Sequence, residues 1–68
     1  MEDKVKICRL LLAALQQTRQ CHNLTDLKYI NRNGDEYVHA VFSCGSDIPI
    51  DVTADSGMAM IRDITRRF

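Results

Sequence analysis

The chain has no tryptophan, two Phe, two Tyr, one proline and three glycines among its 68 residues. So few rings mean that its core must be aliphatic. One Pro and three Gly leave no flexible linker, and no repeat or low-complexity segment divides the chain. An excess of either charge is also missing: nine basic and nine acidic side chains give a formal net charge of zero. A general nucleic-acid or membrane-surface binder needs a positive field, so neutrality speaks against both. The apolar run "ICRLLLAAL", residues 7–15, is interrupted by Arg9 and falls far short of the ~20 apolar residues that cross a bilayer. "MEDK" before it is not a signal-peptide start. Opening on Met without a tag, the chain is expected to be a complete small gene product.

Cysteine is sparse and odd in number: Cys8, Cys21 and Cys44, with no CxxC. Without a secretory leader, the expectation is a reducing cytoplasm and free, mostly buried thiols.

Apolar residues make up 46% of the chain, enough to exclude disorder. The length allows one small domain, residues 1–68, only marginally able to bury a core of its own. Residues 3–22 read as a helix without Gly or Pro, dominated by Leu, Ala, Gln and Arg. On a helical wheel, Ile7, Leu11, Leu15, Thr18 and His22 centre an apolar arc of roughly 220°, against the ~100° or more of an ordinary surface helix. A helix so broadly apolar should touch more than one neighbour. Leu10, Ala13 and Ala14 are the surplus, and with an exposed strand edge they are the candidate surface for self-association.

Asn33-Gly34 then lies between two alternating runs, the strongest short-range hairpin signal. A two-residue loop sets Arg32 opposite Asp35, Ile30 opposite Tyr37 and Leu27 opposite Ala40. Alternation sorts Leu27, Tyr29, Val38, Ala40, Phe42 and Cys44 onto a core face. It sends Lys28, Ile30, Arg32, Asp35, Tyr37, His39, Val41 and Ser43 to the other. Residues 48–53 form a third strand. An odd loop, Gly45-Ser46-Asp47, would pair Cys44 with Ile48, Phe42 with Ile50 and Ala40 with Val52. All its aliphatic side chains then face the core, and Pro49 makes the strand an edge. A second helix is expected from about Asp55 to Phe68, capped by Thr53, Asp55 or Ser56. Ile61, Ile64 and Phe68, with Ala54 and Met58, give it one stripe. Gly57 would allow close approach to the sheet, and Asp63–Arg67 would make an i,i+4 pair. The expected fold is α+β: a two-layer α-β-β-β-α domain with a three-stranded antiparallel meander, order 1-2-3, and both helices on one face.

The chemistry is mostly exclusions. His39 and Ser43 share a face but stand roughly 13 Å apart at ~3.3 Å per residue, and Cys44 points the other way, so no base meets a nucleophile. Cys8, Cys21, His22, His39 and Cys44 lack zinc-site spacing. Asp35-Glu36 reads as a solvated hairpin tip. No GxGxxG or GxxxxGK[ST] cradles a phosphate. No catalytic residue, metal or cofactor is therefore expected.

The α-β-β-β-α order is similar to that of double-stranded-RNA-binding domains. That resemblance implies a lysine cluster at the start of the last helix, where this chain reads "TADSGMAM". A nucleic-acid role would fall to Arg62, Arg66 and Arg67. The favoured expectation is a non-enzymatic protein-interaction module, a regulator or inhibitor of the kind phages and mobile elements often encode. Its partner is another protein or a second copy, and its contact surface is Ile30, Tyr37, His39 and Val41 on the outer sheet face.

Overall fold

The computed structural model describes residues 2–68. Their order is α1 (Lys4–Leu15), β1 (Leu24–Arg32), β2 (Asp35–Phe42), β3 (Asp47–Asp51) and α2 (Gly57–Arg66). The three strands form one antiparallel sheet, order β1-β2-β3. The expected α+β architecture is the observed one.

The first hairpin forms as the alternation dictates. Arg32 pairs with Asp35, Ile30 with Tyr37 and Leu27 with Ala40. Asn33 and Gly34 both have positive φ, 54° and 91°, the combination a type I′ turn requires. Near the start of β1 the register slips between Leu24 and Asp26. There Thr25 Oγ1 donates to the Val41 carbonyl at 2.9 Å.

The second connection is odd in length, as expected, but lies two residues earlier. Phe42 N donates to Ser46 O at 2.9 Å, so the loop is Ser43-Cys44-Gly45. Val38 pairs with Ile50 and Ala40 with Ile48. Gly45 decides this placement. It adopts φ +94°, the left-handed position that closes a three-residue loop and that other residues enter at a cost. Parity is preserved, so Ile48 and Ile50 still face the core. Cys44 does not: it is exposed on the loop, contrary to its expected core position.

The core is Cys8 from α1, Cys21, Leu24 and Leu27, Val38 and Ala40, Ile50 and Val52, and Met60 and Ile64 from α2. Val38, Ala40, Val52, Met60 and Ile64 are completely buried. Phe42 and Phe68 pack against this cluster, edge to face with centroids 5.9 Å apart.

Both helices are shorter than the pattern suggested. The Asp3 carboxylate caps α1, accepting from Lys6 N at 3.0 Å. The helix ends at Leu15, because Thr18 Oγ1 takes up the Leu15 carbonyl at 2.6 Å and accepts from Cys21 N at 3.2 Å. A threonine hydroxyl bonding nearby backbone offers an alternative to further helix. The chain then turns, and Cys21 enters the core from outside the helix. Ser56 caps α2, its Oγ accepting from Ala59 N at 3.2 Å. The Glu2 carboxylate also reaches α2, accepting from Gly57 N at 2.8 Å. A Cβ on Gly57 would run into that carboxylate and into Ile7. Gly57 therefore permits close approach to the start of α1, not to the sheet. Three strands separate the helices in sequence, so α1 and α2 run parallel and both begin at the hairpin-tip end.

Candidate functional site

The outer sheet face is uncovered by either helix. Cross-strand rows run Lys28–His39–Pro49 and Ile30–Tyr37–Asp51, with Val41 between Asp26 and Asp47. Ile30, His39 and Val41 are half-buried, and Tyr37 is 38% exposed. Ile30, Arg32, Asp35, Tyr37 and His39 line a shallow depression of about 300 Å³. The structure therefore brings together Ile30, Tyr37 and His39 and sets Val41 one row further along. His39 Nδ1 lies 2.9 Å from Asp47 Oδ1, which fixes the imidazole at the rim. Among the described residues neither Ser43 nor Cys44 hydrogen-bonds His39.

A second constellation was not expected. Glu36 sits one residue inside the hairpin turn, yet it is only 9% exposed. Its carboxylate accepts from Lys4 Nζ at 2.5 Å, from the Tyr29 hydroxyl, and from Ala54 N at 3.0 Å. Its backbone is tied to the segment after β3: Val52 N donates to Glu36 O at 3.0 Å, and Glu36 N donates to Thr53 Oγ1 at 2.9 Å. The expectation of a solvated carboxylate pair at Asp35-Glu36 is thus corrected. Alternation already contained the signal, because Glu36 shares parity with Val38 and Ala40 and so points to the covered face. Ala54 adopts φ +62°, an uncommon left-handed conformation for a residue with a Cβ, and its N–H is held on Glu36 there.

The Lys4 ammonium, the Tyr29 hydroxyl and the Ala54 N–H, in that order, hold the Glu36 carboxyl down to about 2 from an ordinary 4.5. Its hydrogen bond to Glu36 raises the Lys4 ammonium, and a bond to the same carboxylate raises the Tyr29 phenol. Glu36 is thus an anion at neutral pH with its lone pairs occupied, which suits a latch and not a general acid. A shallow open groove of about 420 Å³ beside it is lined by Glu2, Asp3, Lys4, Val5, Tyr29 and Glu36.

The other expected residues are dispersed. Leu10, at 63% exposed, and Ala13 and Ala14 lie on the open side of α1. Arg62, Arg66 and Arg67 are exposed along and just beyond α2. Among the described residues Asp63 forms no ion pair with Arg67; the neighbouring Asp63 carboxyl raises that of Asp55. Cys8 and Cys21 are buried and Cys44 is exposed, all three free. His22 Nδ1 lies 2.9 Å from the Arg19 carbonyl. Among the described residues no group of three or more His, Cys, Asp or Glu is placed to hold a metal ion, and no helix is long and apolar enough to cross a membrane.

The thiols give a direct check on this arrangement. The Ser46 hydroxyl, 3.3 Å from Sγ, lowers the Cys44 thiol, whereas burial raises Cys8. Thiolate fraction and access set alkylation rate. Iodoacetamide is therefore expected to label one thiol quickly, Cys44, and to reach Cys8 and Cys21 only on unfolding. Peptide mass mapping of a time course reads this, and early labelling of Cys8 or Cys21 would contradict the core described above.

Comparison of the chain with protein families, with curated proteins and with solved structures finds no match. Its function has to be argued from its surfaces.

Proposed function

We propose that this chain is a small non-enzymatic protein-interaction module, a regulator or inhibitor that works by occupying a partner protein in a reducing cytoplasm. One observation carries the reading: an uncovered sheet face with an apolar pair, Ile30 and Tyr37, at its centre and Val41 beyond the His39 row. Charged side chains of both signs, Lys28, Arg32, Asp47 and Asp51, surround that centre in the register. Aromatic residues at the middle of a contact, ringed by polar groups, are the usual anchors of protein interfaces. Tyr37 supplies a ring with a polar tip at modest entropic cost. Three free thiols support the compartment, and among the described residues His39 bonds Asp47 and neither Ser43 nor Cys44.

The expected result for Tyr37→Ala is an unchanged fold with lost capture. The phenol is solvent-facing, so the melting temperature should stay within a few degrees. Retention of the partner by immobilised protein in a native-host lysate should fall about tenfold or more, the loss expected of an interface anchor. Unchanged capture by the folded variant would remove the outer face as the site. Arg62, Arg66 and Arg67 have a separate check: an RNA duplex is expected not to bind even at low salt, where phosphate contacts are strongest.

A further inference from the structure

We propose that the open edge of β1 takes up an extended segment of another protein as a fourth strand, seated in the groove alongside α1. This goes beyond the outer-face reading and does not rest on it, since it uses a different surface and a backbone mode of recognition.

The ladder shows which backbone groups are free. Val52 N bonds Glu36 O and Phe42 N bonds Ser46 O, so Glu36, Val38, Ala40 and Phe42 turn their backbone groups toward β3. In an antiparallel ladder successive residues point alternately to one neighbour and the other. Asp35, Tyr37, His39 and Val41 therefore serve β1, where their partners are Arg32, Ile30, Lys28 and Asp26. That leaves the N–H and C=O groups of Leu27, Tyr29 and Asn31 facing outward along β1, with no backbone partner beyond the sheet.

The opposite edge is different. By the same alternation Asp47, Pro49 and Asp51 face outward on β3. Pro49 has no N–H to offer, and a proline flanked by charges is a recognised way of closing an edge to strand addition. β1 has no proline. One edge of this sheet is closed and the other is open.

The open edge also has walls. Val5, Arg9 and Leu12 of α1 and Asp26, Leu27, Lys28 and Tyr29 of β1 line a groove of about 230 Å³. Val5 is 51% exposed. Arg9 forms no ion pair among the described residues, whose two ion pairs are Lys4–Glu36 and His39–Asp47. A strand laid here would direct alternate side chains toward α1. Those near Val5 and Leu12 should be aliphatic, and one beside Arg9 should be a carboxylate. Backbone bonds would supply attachment, and these alternate pockets would supply selection.

A second copy paired antiparallel, which would put both α1 helices on one side of the joined sheet, does not fit this edge. Two β1 strands paired edge to edge would lie about 4.8 Å apart. Each carries α1 packed above it, and packed helices need about 8–10 Å between axes. A bare extended peptide has no such obstacle.

The probe is an acetylated, amidated seven-residue peptide of alternating valine and threonine with glutamate at its central, α1-facing position. Titration into labelled protein, with amide exchange read residue by residue, is expected to slow exchange at Leu27, Tyr29 and Asn31. N-methylation of the peptide amides that face β1 should abolish that protection. Asn31→Pro, which removes an outward N–H as Pro49 does on β3, should weaken binding about tenfold or more. If that variant does not fold, Arg9→Glu keeps the question open to measurement, since it should reverse the preference from a glutamate-bearing to a lysine-bearing peptide. Tyr37→Ala should leave peptide binding unchanged, which separates this surface from the outer face. Unaltered exchange at the three β1 amides in millimolar peptide, or perturbation confined to Ile30, Tyr37 and His39, would overturn the proposal.

Discussion

Glu36→Gln is expected to lower the melting temperature at pH 7 and to erase one component of the acid sensitivity of the fold. The carboxylate joins three separate parts of the chain: Lys4 at the start of α1, Tyr29 on β1 and Ala54 after β3. Lys4 is the first residue of α1, where the helix dipole disfavours a cation. Glu36 offsets that charge. A neutral glutamine has one acceptor oxygen, so it keeps the bond from Tyr29 or the bond from Ala54 but not both, and it leaves the Lys4 charge uncompensated. The fall in melting temperature should exceed that from neutralising an exposed carboxylate such as Asp35.

The pH dependence follows from the direction of the shift. The Glu36 carboxyl titrates at about 2 in the folded chain and at an ordinary 4.5 when free. Its contribution is complete above the ordinary value and drains away as pH falls toward the folded one. Thermal melts of wild type and Glu36→Gln from about pH 7 to about pH 2 should therefore converge as acid is added. A gap that stays constant across that range would show that the charge on Glu36 does not stabilise the fold.

Ile64→Ala is expected to cost about 2–5 kcal/mol, the range for removing a buried aliphatic side chain and leaving a cavity. Ile64 and Met60 are the completely buried apolar side chains of α2. A chain of this length is expected to be stable by only about 3–10 kcal/mol, at ~0.05–0.15 kcal/mol per residue. One truncation therefore removes a large fraction of the total. Urea unfolding followed by helix signal and by tyrosine fluorescence should show one coincident transition moved to lower denaturant. If the helix signal alone moved, α2 would be a separable appendage and not part of one core. A loss under about 1 kcal/mol would mean that the site collapses around the smaller side chain.

Features set by local rules could be read from the residues alone. Asn33-Gly34 fixed the first hairpin and its register, and the period of two identified the core face. The odd parity of the second loop followed from the need to keep Ile48 and Ile50 beside Val38 and Ala40. The position of that loop did not follow, because parity permits any odd connection and Gly45 selects one. The end of α1 was hidden for a related reason. Residues 16–22 have good helix propensity, and what stops them is one threonine hydroxyl together with the pull of Cys21 into the core. Burial of Glu36 was available from alternation, yet turn composition pointed the other way. Its partners, Lys4 and Ala54, lie 32 and 18 residues away, beyond any local pattern. The outer-face residues were legible as a set, since a face is a matter of parity. The groove between α1 and β1 was not, since it depends on where a helix settles across a strand.

The parallel run of the two helices has an electrical consequence. Both positive ends of the backbone dipoles stand at the hairpin-tip pole, where Glu2 bonds the first N–H of α2 and Asp3 that of Lys6. Arg66 and Arg67 stand at the far pole, beside the carbonyl ends of α2. The formal charges cancel in sum but not in position. At these two poles the acids and the arginines are set against the backbone dipoles of the helices.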